Sequence, residues 1–169
     1  MTTVTELEAL PIHAVDFRKF GHVANLTASG QEVVEDHGVG WTDRHMRRPL
    51  LDQPGHLGLT TGPARATPLT AMERHTHTRE ALFCLAKPVV VAVAPADSDA
   101  PIGSEVVAVV IRPGDVVVLG EGVWHGPCWG LEGPTPYYWY AAVDDSRATV
   151  WEPIVDGPIR VRLAGGDGR

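Results

Sequence analysis

Residues 105–125 read Glu105-Val-Val-Ala-Val-Val-Ile111, Arg112, Pro113-Gly-Asp115, Val116-Val-Val-Leu119, Gly120-Glu-Gly122, Val123-Trp-His125. Two β-branched runs are cut first by a Pro-Gly-Asp turn and then by a Gly-x-Gly turn that delivers a histidine. β-Branched side chains are stiff at χ1 and suit a pleated strand better than a helix. The same punctuation continues upstream. Ala81-Leu-Phe-Cys-Leu-Ala86 and Val89-Val-Val-Ala-Val93 are continuous apolar runs split by Lys87-Pro88, which reads as two buried strands joined by a tight turn. Leu57-Gly-Leu-Thr-Thr61 has the pattern of an edge strand, Pro68 to His77 of another strand, and Tyr137-Tyr-Trp-Tyr-Ala-Ala-Val143 of a strong last one. Short strands at regular spacing between Gly/Pro turns predict an all-β sandwich or barrel. The exception is Ala14 to Phe20, where the spacing of Phe17 and Phe20 predicts a short N-terminal helical segment stopped by Gly21. Residues 25–56, polar and Gly-rich, predict short strands and long loops.

Composition fits this reading. The chain has 169 residues, 44% of them apolar, enough for one packed core. We expect a single domain over 1–164, with Gly165-Gly-Asp-Gly-Arg169 as a frayed tail. The 18 glycines and 14 prolines mean many turns and few long helices. A net charge of −7, with no basic stretch, argues against nucleic acid and against an anionic membrane surface. The longest apolar stretch, Pro88 to Pro95, is too short to span a bilayer. The N-terminus lacks the basic-then-apolar order of a secretory signal. Only Cys84 and Cys128 are present, so one disulfide is arithmetically open but a disulfide-built scaffold is not. The chain reads as a soluble, cytoplasmic domain.

Two segments carry chemistry. In Glu73-Arg-His75-Thr-His77-Thr-Arg-Glu80, strand alternation would put Glu73, His75 and His77 on one face. Glu80 has the opposite parity and joins them only if the chain turns between 77 and 80. Imidazole and carboxylate groups from one such corner are ordinary ligands for a divalent metal. A solvated turn would use the same residue types. The second segment is the Gly122-Val-Trp-His125 turn, which adds His125. Cys128 reads as core before nucleophile, and Cys84 as core. Half of Tyr137, Tyr138, Trp139 and Tyr140 face inward on any strand. Arg44, Arg47 and Arg48 could hold a substrate carboxylate or simply a solvated loop.

The two segments resemble the first and second cupin motifs, in that order, although Gly120 stands where the second motif usually has proline. The resemblance implies a cupin-type double-stranded β-helix, a jelly-roll barrel. Its register is open: residue type pairs His75 with His77, whereas spacing to Glu80 pairs Glu73 with His75. The ligand pool is therefore Glu73, His75, His77, Glu80 and His125, of which three or four would bind Zn, Mn, Ni or Fe. Val15-Asp-Phe-Arg-Lys-Phe-Gly-His-Val23, Met72-Glu-Arg-His75, Pro88 to Pro95 and Gly122-Val-Trp-His125 resemble, in order, segments of the ureidoglycolate lyase family. Departures are Glu121 and Gly126, where the family tends to have Arg and a polar group, Glu80 in place of a frequent Gln, and the extra His77.

That resemblance implies a carbon–nitrogen lyase that cleaves a small anionic ureido hydroxy acid into glyoxylate and urea, and a homodimer. Glu73 or an uncoordinated His77 would be the base, with His125 a ligand and Trp124 walling the pocket. Two rivals remain at this stage: another metal-dependent cupin enzyme, an oxygenase or isomerase, and a non-catalytic small-molecule-binding cupin.

Overall fold

In a computed structural model describing residues 4–64, 67–147 and 149–163, the chain is built almost wholly of strands. In chain order they begin with β1 (Thr5–Pro11), β2 (Gly21–Asn25), β3 (Val33–Gly38), β4 (Trp41–Met46) and β5 (His56–Gly62). Next come β6 (Ala71–Arg74), β7 (Glu80–Phe83), β8 (Val89–Ala94), β9 (Val107–Ile111) and β10 (Asp115–Leu119). The last are β11 (Trp124–His125), β12 (Trp129–Gly130), β13 (Thr135–Ala141), β14 (Val150–Pro153) and β15 (Ile159–Leu163). One sheet runs β14-β6-β11-β8-β9-β1-β15, with β12 also beside β8; a second runs β2-β10-β7-β13-β5; β3 and β4 form a separate hairpin.

The first sheet curls until its ends meet. Leu69 and Ile159 exchange backbone hydrogen bonds of 2.7 and 2.9 Å, tying β15 to the approach to β6. This geometry explains why β8 is buried at every position. Val89, Val91 and Val93 pack with Leu82, Val117 and Leu119 between the two sheets. Val90, Ala92 and Ala94 face the inside of the curl, against Met72, Trp124 and Ile159. A strand covered on both faces has no use for alternation, and its sequence shows none. On the far side of the second sheet, Ala81, Val116 and Val118 are covered by Met46, Leu50 and Leu51.

Trp124 is fully buried in the curl, its indole N–H donating to the Ser98 carbonyl at 3.2 Å and the Arg74 guanidinium lying 4.3 Å from its ring centroid. Trp124→Ala is expected to lower folding stability by about 3–5 kcal/mol, visible as a fall in the unfolding midpoint. A midpoint within a few degrees of wild type would show that this packing is not what holds the curl.

The all-β jelly-roll architecture is as expected. The helical segment is reduced to two 3-10 turns, Ile12–Ala14 and Phe17–Lys19. Asp16 accepts the Arg18 N–H at 3.3 Å, and the rings of Phe17 and Phe20 turn into the core, which leaves no length for an α-helix. The apolar runs at 81–86 and 89–93 do not form a hairpin: β7 lies in the second sheet and β8 in the first, so the Lys87-Pro88 turn links the sheets. Strands β1, β2, β12, β14 and β15 have no counterpart among the strands anticipated. The expected tail at 165–169 lies outside the described residues. Among the described residues, no helix is long and apolar enough to cross a membrane.

Candidate metal centre

Strand β6 ends at Arg74, so the 73–80 segment is not one extended run. Glu73 stays on the strand, His75 follows it, and the chain bends before re-entering the second sheet at Glu80. That bend supplies the change of parity that brings Glu80 to the same space as Glu73 and His75. The other half of the site arrives through Gly122, whose φ of +75° is a left-handed backbone that side-chain-bearing residues rarely adopt. The Gly122 N–H donates to the His75 carbonyl at 2.7 Å, fastening the two segments together. Three residues on, His125 sits in β11 directly opposite Glu73 of β6. Trp124, its neighbour, points into the curl instead, because successive strand residues face opposite ways. Trp124 therefore does not wall this pocket.

Four side chains converge. His125 Nε2 lies 3.2 Å from Glu80 Oε2 and 3.8 Å from Glu73 Oε1, and His75 Nε2 lies 3.5 Å from Glu80 Oε2. The rings of His75 and His125 are 5.2 Å apart between centroids. Potential ligand atoms of Glu73, His75 and His125 all fall within 4.8 Å of one another. His125 is 5% exposed, and the Val123 carbonyl 3.0 Å from its Nδ1 orients the ring with Nε2 toward the carboxylates. A second nitrogen anchored in this way is the usual arrangement of a metal-ligating imidazole.

Burial raises the Glu73 carboxyl above its ordinary value, partly opposed by His125 and His75. Burial also resists ionisation of Glu80, but attraction from His125 and His75 outweighs it and brings that carboxyl down to about 2. His125 is likewise disfavoured as a cation by burial, yet Glu80 holds its proton above the ordinary imidazole value. Although close, His125 Nε2 and Glu80 Oε2 are not aligned for a hydrogen bond, and neither buried atom has another partner among the described residues. Unpaired buried donors and acceptors are costly. A divalent cation between them would satisfy both, and two imidazoles with two carboxylates are a donor set that suits it. The residues fit a metal.

This protonation pattern has consequences in the metal-free protein. Glu80 stabilises the fold above its ordinary value of 4.5, a contribution lost as pH falls toward about 2. His125 stabilises below its ordinary 6.5, a contribution lost as pH rises through its raised value. A cation must displace the His125 proton, so apparent Zn²⁺ affinity is expected to rise with pH, approaching about tenfold per unit while one proton is released, and to level off above the raised value. Competition titration from about pH 5.5 to 8.5 reads this directly, and a flat profile would exclude His125 as a ligand.

The centre opens into a cavity of about 430 Å³ between the sheets, lined by Glu73, His75 and Glu80 and, farther out, by Thr60, Tyr137 and Trp139. His77 lines the same cavity but stands apart, its ring 6.3 Å from that of His75 and edge-on to it. Its Nε2 is buried without a hydrogen-bond partner among the described residues. Tyr137 and Trp139 face the site while Tyr138 stacks on Phe83 and Tyr140 packs on the outer face. Cys84 and Cys128 are free and buried; burial pushes the Cys128 thiol well up, so it stays protonated. Arg44 pairs with Glu35 on the hairpin, Arg47 donates to the Gln31 carbonyl at 2.9 Å, and Arg48 lines a cleft beside β2. None of the three lines this cavity. The sequence reading missed Thr60 and the 142–147 segment, which reach the site through sheet topology and carry no local signal. Asp36, Asp43 and His45 form a second, fully exposed cluster on the hairpin.

The comparisons agree with this architecture. A family model described as ureidoglycolate lyase matches residues 4–162. No curated protein sequence matches significantly. Among solved structures, the TDP-quinovose 3,4-ketoisomerase of Campylobacter jejuni is similar with a TM-score of 0.52 at 8% identity, covering 76% of this chain and 91% of that one. A dTDP sugar isomerase from Desulfovibrio desulfuricans G20 gives 0.50 at 14% identity, covering 82% and 87%. A dTDP-6-deoxy-D-glucose-3,5-epimerase from Legionella pneumophila also gives 0.50, at 10% identity, covering 86% and 90%. At such identities the likeness is one of fold.

Proposed function

The chain belongs to the ureidoglycolate lyase family, whose members are carbon–nitrogen lyases, and from that premise we propose how its own residues cleave ureidoglycolate into glyoxylate and urea. Glu73, His75, Glu80 and His125 would hold one divalent cation, of the Zn, Mn, Ni or Fe type. When bound, it would chelate the α-hydroxyl and carboxylate oxygens of the substrate and lower the pKa of that hydroxyl. His77 is the base. It lies on the cavity wall outside the convergent set, with a buried nitrogen free to accept. It takes the hydroxyl proton, the carbinol oxygen reforms a C=O bond, and the C–N bond breaks with its electron pair going to nitrogen. The proton held on His77 then returns to that nitrogen, giving urea. No water is consumed and no electrons change hands. Glu73, raised by burial, is the alternative base if it is not a ligand.

The single observation carrying this reading is the convergence of two carboxylates and two imidazoles, with unpaired buried atoms, at the floor of a cavity large enough for a small hydroxy acid. Equimolar glyoxylate and urea from ureidoglycolate, with no oxygen uptake, are expected. Oxygen consumption coupled to turnover would instead place the chain among the oxygenases, and tight binding without turnover among non-catalytic cupins. The family likeness also favours a homodimer, and edge strand β5, with Leu57 and Leu59 exposed, is a surface that supports it.

A further inference from the structure

The cavity is strongly acidic. Glu73, Glu80, Asp144 and Asp145 all line it, and Arg147 is the one arginine or lysine among its described lining residues. A small carboxylate entering this space meets four acidic groups, and a single divalent ion would offset only part of their charge. A cation on the cavity lining is what the charge balance calls for. Arg147 stands there, on the connection that leaves β13 in the second sheet at Ala141 and enters β14 in the first at Val150.

The local structure presents that side chain. Asp144 accepts from the Ser146 N–H at 3.0 Å and from its hydroxyl at 2.5 Å, and the Arg147 N–H donates to the Asp144 carbonyl at 2.9 Å. This is an Asx turn closed by a backbone bond, with its shape fixed by Asp144. Those same bonds to Ser146, with the nearby Arg147 charge, hold the Asp144 carboxyl below its ordinary value, so it stays ionised. Asp144 holds the guanidinium through Nε at 3.3 Å, with the Arg147 side chain 61% exposed. An exposed pair of this kind is worth little and exchanges easily. The terminal nitrogens form a planar fork that matches a carboxylate.

We propose that Arg147 is the specificity-determining residue of the cavity, binding the carboxylate of the substrate and so selecting α-hydroxy acids over their neutral counterparts. The guanidinium fork is matched to the two carboxylate oxygens. The inference rests on the substrate class proposed above, but its test does not depend on turnover. Oxalurate, the keto analogue of ureidoglycolate that has no carbinol hydroxyl to lose, and its carboxamide are titrated calorimetrically into wild type, Arg147→Gln and Arg147→Lys.

Wild type is expected to prefer oxalurate. Arg147→Gln should weaken oxalurate binding by about 10- to 100-fold, the range of one charge-assisted contact, while carboxamide binding stays within about threefold. Arg147→Lys should fall between the two, since it keeps the charge and loses the fork. Loss of both ligands alike would mean that Arg147 merely supports the loop, and unchanged oxalurate binding, or no preference in wild type, would also overturn the proposal. If the preference and its loss are seen but ureidoglycolate is not cleaved, the reaction assignment fails and the anchor stands.

Discussion

His125→Ala is expected to empty the centre and to cut glyoxylate release by about 10³-fold, the loss that follows when several kcal/mol of Lewis-acid stabilisation is removed. The residue is nearly fully buried, oriented through its Nδ1 by the Val123 carbonyl, and lies within 4 Å of both Glu73 and Glu80. Its removal leaves Glu80 with His75 as its sole close imidazole, at 3.5 Å. One ligand fewer in a set of three or four should lower metal affinity far more than the 10- to 100-fold typical of losing an orienting neighbour. The strand itself should survive, because β11 is held by backbone pairing to β6 and β8 and by Trp124 in the curl. A folded variant with full metal occupancy and near wild-type turnover would contradict the ligand assignment.

His77→Ala is expected to behave differently: turnover falls by about 10² to 10⁴-fold while metal content is unchanged. The separation of the two effects is the point. His77 faces the same cavity as Glu73 and Glu80, yet its ring stands off from the convergent group. A variant that loses the metal would make His77 a ligand and return the proton transfer to Glu73. In that case Glu73→Gln, a near-isosteric change, should abolish turnover with the ion retained. Atomic absorption on the same samples used for kinetics distinguishes the two.

Much of this site was legible from residue order, for identifiable reasons. The Gly-x-Gly turn before Val123-Trp-His125 signalled a turn that delivers a histidine, and Gly122 makes it with a left-handed backbone. Glu73 and His75 needed only strand parity to share a side. What the sequence could not reveal was where β6 stops. Extended alternation placed His77 with His75, but the strand ends at Arg74 and the bend carries Glu80 inward while His77 moves aside. Of the two registers left open, the observed grouping of Glu73, His75 and Glu80 with His125 follows the spacing and not the residue types. The arginines suspected near residue 45 lie on or just after the β3–β4 hairpin and do not line the cavity, and Arg147 arrives from a distant connection, because the partners of a β-sheet are set by topology and not by proximity in sequence. The length of the N-terminal helix failed for a simpler reason: one turn between a strand and a glycine cannot hold an α-helix.

The central claim is that β6, the bend after it, β7 and β11 bring four side chains together to hold one divalent cation. It is tested most directly by measuring metal content and glyoxylate release on the same preparations of wild type, chelator-treated wild type and His125→Ala. The account predicts one divalent ion per chain in wild type, with occupancy and release lost together in the other two and restored by metal only in the treated wild type. Glyoxylate release at the wild-type rate from protein holding no metal would contradict it.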